Sequence, residues 1–363
     1  MSTVSVTTVV TTLETTGTLP LMDLGVMLPT GFPGSDARLV TDWARRAEES
    51  GVFTSLAVAD RFAYANLDSL MSLAAAAAVT VRVRLMTYIA VAPTKPAPVF
   101  AKEVATLAAL APGRVTLGVG VGARPRDYED TGTPWDQRGR LLDEALAAVA
   151  GMKDRPDPHQ SAGPDMDPDL EVLIGGTSPP ALRRMVEHGH GFAHGGLRAE
   201  IFGFQVMAAK GAWQAAGREG APRIVASTWV ASSTDADDAA QAWQDSYFAQ
   251  GAPPEEMRDG ISRGEEAVRL ACAAFAAAGA DEVVLYPCVA DLEELEWLIG
   301  VAERLPSTED LVAMAPEPQM PPGMGPGGPG GPPGGPGGGM ATPGTHDDAK
   351  TSAAAPGVAS PAV

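Results

Sequence analysis

Val283-Val284-Leu285-Tyr286 is an unbroken apolar run, set between Ala278-Gly279-Ala280-Asp281-Glu282 and Pro287-Cys288. A strand with one wet face alternates apolar and polar residues; a strand covered on both faces does not. The run therefore predicts a parallel strand buried between two layers. Working outward from it, strand-like segments recur at 21–28, 53–59, 83–91, 114–121, 171–174, 191–194 and 223–231, with this one spanning 281–286. Helix-like segments fill the intervals at 36–50, 67–80, 97–110, 135–152, 180–188 and 200–216. A further helical region, broken by Pro and Gly, reaches 278, and a last helix covers 292–305. Ser35 or Asp36 suits the first helix start and Gly51 its stop. Eight strand–helix units between residues 21 and 306 predict an α/β fold, a (β/α)8 barrel. A doubly wound open sheet is the alternative.

The rest of the chain narrows the class. Its 363 residues are 45 % hydrophobic and 20 % charged, ordinary globular values with room for a large core. A formal charge of −19, from 26 basic and 45 acidic residues, repels phosphate backbones, so nucleic acid is a poor partner. Cys272 and Cys288 are too few for a disulfide framework, which fits a reducing cytoplasm. No run reaches the ~18 consecutive apolar residues of a membrane helix. Residues 1–20 are Thr-rich without Lys or Arg and lack the basic start of a secretory signal, so they are expected to form a disordered leader. From Pro316 to Gly344, 22 of 29 residues are Pro or Gly without a collagen period. Such a segment buries too little apolar surface to offset its conformational entropy, and 307–363 are expected to form a disordered tail.

A barrel of this kind carries its chemistry just after each strand. Glycines recur there, at Gly118, Gly120, Gly122, Gly175, Gly176, Gly195 and Gly196, where a ligand can approach the backbone. Gly118-Val119-Gly120-Val121-Gly122-Ala123 also fits a loose dinucleotide fingerprint, but that site needs a helix at the turn, and the next helix is expected near Trp135. Glycines that merely relieve crowding are the plainer alternative. Gly175-Gly176-Thr177-Ser178-Pro179-Pro180 opens a helix, and its amides make an anion site, or Thr177 or Ser178 simply caps the helix. Arg61, Lys95, Arg124, Arg126 and Arg198 fall in loops at this face and hint at an anionic ligand, although Asp60, Asp127, Glu129 and Asp130 lie nearby. His188, His190 and His194 raise a metal site, but Gly189 and Gly191 interrupt their spacing and no carboxylate closes the last strand, so no metal is assigned. Cys288 reads as a buried thiol. No Gly-x-Ser-x-Gly elbow or Walker loop is present.

Taken in order, several segments resemble the bacterial luciferase-like superfamily of flavin- and F420-dependent oxidoreductases. They are residues 83–92, the helix ending in Ala111-Pro112-Gly113-Arg114, and Leu117-Gly118-Val119-Gly120-Val121-Gly122. Gly132-Thr133-Pro134-Trp135 with Arg138-Gly139-Arg140-Leu141-Leu142-Asp143-Glu144 follows, then Val172-Leu173-Ile174-Gly175-Gly176-Thr177 and residues 278–285. The resemblance spans 21–305 and implies a (β/α)8 barrel binding reduced FMN or coenzyme F420 at the C-terminal strand ends. FMN members are monooxygenases; F420 members mostly transfer hydride, and the pattern from Gly118 to Asp127 looks closer to them.

The resemblance places Asp60 and Arg61 at the catalytic position after the second strand, where the family has an acid and usually a histidine. Arg61 departs from that pattern and cannot act as a base at neutral pH. Thr87, Tyr88 and Ala90 would touch the ring, with a non-proline cis bond near Tyr88–Ala90. Gly120, Val121 and Gly122 would offer backbone contacts, Gly175, Gly176 and Thr177 would hold the phosphate, and His194 would line the pocket. Phe32, Phe62, Tyr64 and Tyr286 would meet a small organic substrate. A separate flavin or F420 reductase and a homodimer are further implications. The competing readings are a degenerate flavin-binding barrel, supported by Arg61, and a metal-dependent barrel hydrolase built on the three histidines.

Overall fold

The parallel strands expected from the apolar runs close into a ring. A computed structural model describes residues 22–152, 163–164, 167–195, 199–232, 239–249 and 260–315. The strands are β1 (Asp23–Met27), β2 (Ser55–Val58), β3 (Arg84–Val91), β4 (Val115–Gly120), β5 (Glu171–Gly175), β6 (Gly191–Gly195), β7 (Arg223–Ala231), β8 (Ile261–Arg263) and β9 (Glu282–Pro287). Neighbours pair in parallel from β1 to β7, and β9 joins β7 back to β1. Eight strands thus form the barrel. The short β8, which the sequence reading absorbed into a helix, attaches outside the ring to the last three residues of β7.

Helices α1 (Leu39–Ser50), α2 (Ser69–Ala77), α3 (Ala97–Leu110), α4 (Pro125–Thr131), α5 (Arg138–Ala150), α6 (Pro179–His188), α7 (Ala199–Ala215), α8 (Ala239–Phe248), α9 (Gly264–Ala277), α10 (Leu292–Glu303) and α11 (Thr308–Met314) complete the described fold. Alternate strand residues feed two apolar layers, as period-two geometry requires. Val26, Leu56, Leu85, Leu117, Ile174 and Leu285 face the helices; Met27, Ala57, Met86, Leu173, Val225 and Val284 fill the barrel. At the N-terminal strand ends, Glu282 is fully buried, accepts from Ser55 Oγ and pairs with Arg223 at 2.5 Å. A buried carboxylate needs such partners. A Cβ on Gly25 would stand 2.7 Å from Glu282 Oε1, so glycine is required beside this pair.

Three expectations need correction. The helix after the Gly118–Gly122 run starts at Pro125, not near Trp135, although the ring closure still excludes a dinucleotide-binding open sheet. The first helix begins at Leu39 without a side-chain cap; Asp36 instead accepts from Arg38 N. Residues 308–314 of the expected disordered tail form α11, capped by Ser307, with Leu311 buried against Ala273 and Ala276 of α9. The leader 1–20 and the tail from 316 lie outside the described residues. Among the described residues no helix is long and apolar enough to cross a membrane.

Candidate active site

The C-terminal ends of the strands form one mouth, and its two sides differ. On the β1, β7 and β9 side an aromatic group fills the opening. Trp243 of α8 stacks on Phe32 at 5.2 Å and on Tyr247 at 5.2 Å, and stands 5.3 Å from Tyr286. Its Nε1 donates to Gly31 O at 2.7 Å, satisfying the indole where it is buried. Phe248 meets Trp229 edge-on, and Tyr64 meets Tyr247 edge-on. Phe62 stands apart, 58 % exposed.

The arc from β2 to β6 carries most of the polar groups singled out in the sequence. Asp60, after β2, accepts from Val91 N at 2.9 Å and ties the ends of β2 and β3 together. Burial raises its carboxyl above the usual carboxylate range, against the opposing pull of that bond and of Lys95. Arg61 is 6 % exposed and donates from Nη1 to Tyr247 O at 2.9 Å, while its Nε and Nη2 are buried without a partner. At the end of β6, His194 has a buried Nδ1 without a partner, and desolvation lowers its pKa to about 4. The imidazole is therefore neutral at physiological pH.

The β3 residues use their polar groups in the wall. Thr87 Oγ1 donates to Gly118 O at 2.7 Å. Tyr88 OH donates across the barrel to His194 O at 2.6 Å and sits 3.1 Å from Val225 O; burial raises its pKa. The Ala90 side chain belongs to the helix-facing layer, so only its backbone can face a ligand. The peptide bond Tyr88–Ile89 is cis, within the stretch where the resemblance puts such a bond.

Three of the glycines answer to packing. A Cβ on Gly120 would stand 2.8 Å from Ile89 Cδ1, one on Gly175 would collide with Ile89 outright, and one on Gly118 would run into the Thr87 carbonyl, with Ile89 Cγ2 at 2.9 Å behind it. Gly122, at φ +64, faces Val91, and the Val121 carbonyl accepts from Tyr128 OH. Gly176 is different: it has φ +89 and meets only Ala181, at 3.9 Å. Ser178 stands at the N-cap of α6 but makes no side-chain cap bond. Pro179 and Pro180 remove two amide donors from the first turn. Any anion at this helix end is left to the half-exposed backbone of Gly176 and Thr177 and to Ser178.

The structure does not bring the three histidines to one centre. His190 Nδ1 accepts from Val172 N at 3.0 Å, His188 lies 3.8 Å from Glu187, and among the described residues no group of three or more His, Cys, Asp or Glu could hold a metal. Lys95 is paired with Asp68 and Glu103, and Arg126 with Asp130. Gly196 and Arg198 lie outside the described residues. Cys288 is buried.

The sequence pattern of the family described as luciferase-like monooxygenase matches residues 22–290, nearly the whole barrel. The chain belongs to the luciferase-like monooxygenase family. An uncharacterized protein of Mycobacterium tuberculosis is 33 % identical to this luciferase-like chain over 142 residues, covering 36 % of it and 48 % of the relative. The chain thus spans about half the length of that curated relative. Among solved structures, an F420-dependent secondary alcohol dehydrogenase in complex with an F420–acetone adduct superposes with a TM-score of 0.66 at 17 % identity, over 78 % of this chain and 99 % of that one. The oxygenating constituent of the 3,6-diketocamphane monooxygenase of Pseudomonas putida, in complex with FMN, gives 0.57 at 16 % identity, over 83 % and 100 %. At these identities the likeness shows the fold.

Sequence reasoning missed Trp243, Tyr247 and Phe248 at the mouth of this luciferase-like barrel. The i, i+4 pair Trp243 and Tyr247 was a legible signal for one aromatic helix face. Nothing local tied that face to Phe32.

Proposed function

We propose that this chain is an oxidoreductase that holds reduced FMN or F420 along the β2–β6 arc and presents a small organic substrate to it. The observation that carries the reading is the shared arc: an open glycine loop at β5, and buried polar atoms without partners on Arg61 and His194. Buried groups of that kind call for a ligand. Gly176, Thr177 and Ser178 would hold the phosphate, Ile89 would offer an apolar shelf above the glycines, and neutral His194 would give or accept one hydrogen bond. The bound ring would supply hydride transfer or oxygen activation. The aromatic group of α8 would exclude water from one side. Asp60, with its raised pKa, is the candidate for holding a proton. A separate reductase, a homodimer and a cytoplasmic location belong to the same proposal.

The test is a pair of fluorescence titrations of the full chain, one with FMN and one with F420. Binding of one of them, weakened at least tenfold by Thr177→Glu, supports the reading. No binding of either, oxidised or reduced, overturns it. Thr177 suits the test better than Gly176, where φ +89 would strain any substitution.

A further inference from the structure

Of the cations at the mouth, Lys95 and Arg126 already have carboxylates, while among the described residues Arg61 and Arg124 have none. No carboxylate among the described residues lies within ion-pair distance of either, yet both lean on the same ring. The Arg61 guanidinium lies 5.2 Å from the centre of Tyr247 and 5.0 Å from that of Tyr64. Arg124 lies 4.9 Å from Tyr247 and 5.5 Å from Phe248. The nearby Asp127 already accepts from Phe62 N and Ala63 N, at 3.1 and 2.7 Å. Aromatic faces attract guanidinium groups but do not satisfy their N–H donors. Burial and the repulsion of Arg124 both push Arg61 below the ordinary arginine pKa. Two like charges share one ring, Nε and Nη2 of the inner one are buried and unmatched, and among the described residues no anion offsets them.

We propose that Arg61 and Arg124 recognise a carboxylate on the substrate. The planar fork of an arginine matches a carboxylate in two-point geometry, and Arg124 would close on it from the β4 side. Tyr247 carries the carbonyl that fixes Arg61, so this residue of α8 would set the depth of the site. The inference rests on the proposed function only for which molecule carries the anion.

The experiment is thermal unfolding of the full chain with acetate, hexanoate and benzoate at fixed ionic strength, each against its amide and against sodium chloride. A ligand that binds only the folded state raises the transition temperature. At least one carboxylate should do so where its amide does not. Arg61→Gln and Arg124→Gln should each weaken that response at least tenfold in concentration, and Arg61→Lys should recover part of it. Arg124 is only half-buried, so its variant gives a reading even if Arg61→Gln fails to fold. A flat response to all three acids, amides as effective as acids, or a response unchanged in Arg124→Gln overturns the proposal. Repeating the titration with saturating FMN or F420 separates the sources. An unchanged or stronger carboxylate response assigns the anion to the substrate; its loss assigns it to the cofactor and overturns the substrate reading. If neither cofactor binds, the proposed function fails, while the carboxylate response of the free protein still decides this inference.

Discussion

Ile89 reaches across β4 and packs its Cδ1 onto the Cα of Gly175, two strands away. It can do so because Gly118 and Gly120, the β4 residues beneath it, have no side chains. Gly120, Gly175 and the isoleucine are one packing unit, while Gly118 answers first to the Thr87 carbonyl. Gly175→Ala should therefore force Ile89 aside and cost about 1–3 kcal/mol, the range of overpacked cores. Denaturant unfolding of Gly175→Ala, Ile89→Ala and the double variant checks this. The double variant should be more stable than the sum of the two singles implies, because the truncated side chain makes room for the new methyl. Strict additivity would separate the two residues.

How much of this was legible depends on how local each signal was. The apolar runs at β7 and β9 stand where they were expected, and α3 matches residue for residue, because burial on both faces and helical period are written within a few residues. Gly120 and Gly175 were legible as special but not for the right reason, since the sequence does not show that Ile89 fills their space. The meeting of Trp243 with Phe32 and Gly31 joins positions more than 200 residues apart, and no period announces it. The β8 segment has only three residues, too few to show alternation. At α11 the signal was local, with Ser307 and the acidic Glu309 and Asp310 as a proper helix start, but the Pro/Gly composition that follows masked it.

His194 gives the barrel a pH dependence whose direction follows from burial. Its folded-state pKa is about 4, below the ordinary 6.5, so above pH 6.5 the ring is neutral in both states. As pH falls, the unfolded chain takes up a proton and the folded one does not, so stability is lost between about pH 6.5 and pH 4. The full loss is roughly 3 kcal/mol at 1.36 kcal/mol per unit. Unfolding free energies of wild type and His194→Gln, measured from pH 4 to pH 8, should diverge in slope below pH 6.5, the wild type falling more steeply. Parallel curves would show that His194 is solvated in the folded protein.

Trp243 anchors the aromatic side of the mouth, so its truncation should loosen more than one contact. Trp243→Ala removes two stacked partners and leaves Gly31 O without its donor. A loss of about 3–5 kcal/mol is expected if α8 is part of the folded core. Trp243→Phe should recover most of the stacking but not the hydrogen bond, at about 1 kcal/mol short of wild type. Thermal unfolding of both variants gives the answer, and a near-neutral Trp243→Ala would mean that α8 leaves the barrel readily.

The C-terminal boundary can be tested by cutting the chain on either side of α11. Leu311 is 2 % exposed against α9, and Met22 N donates to Thr308 Oγ1, so α11 also holds the chain leading into β1. A chain ending at Pro316 should keep the wild-type transition temperature, because a sequence so rich in Pro and Gly offers little apolar side chain to a core. Ending the chain at Pro306 should lower the transition by several degrees. Leu311→Ala in the full chain should reproduce most of that drop, at about 2–5 kcal/mol, since a buried leucine loses both its transfer free energy and its packing. Equal stability of the two truncated chains would show that α11 contributes nothing to the barrel and that the core ends at α10.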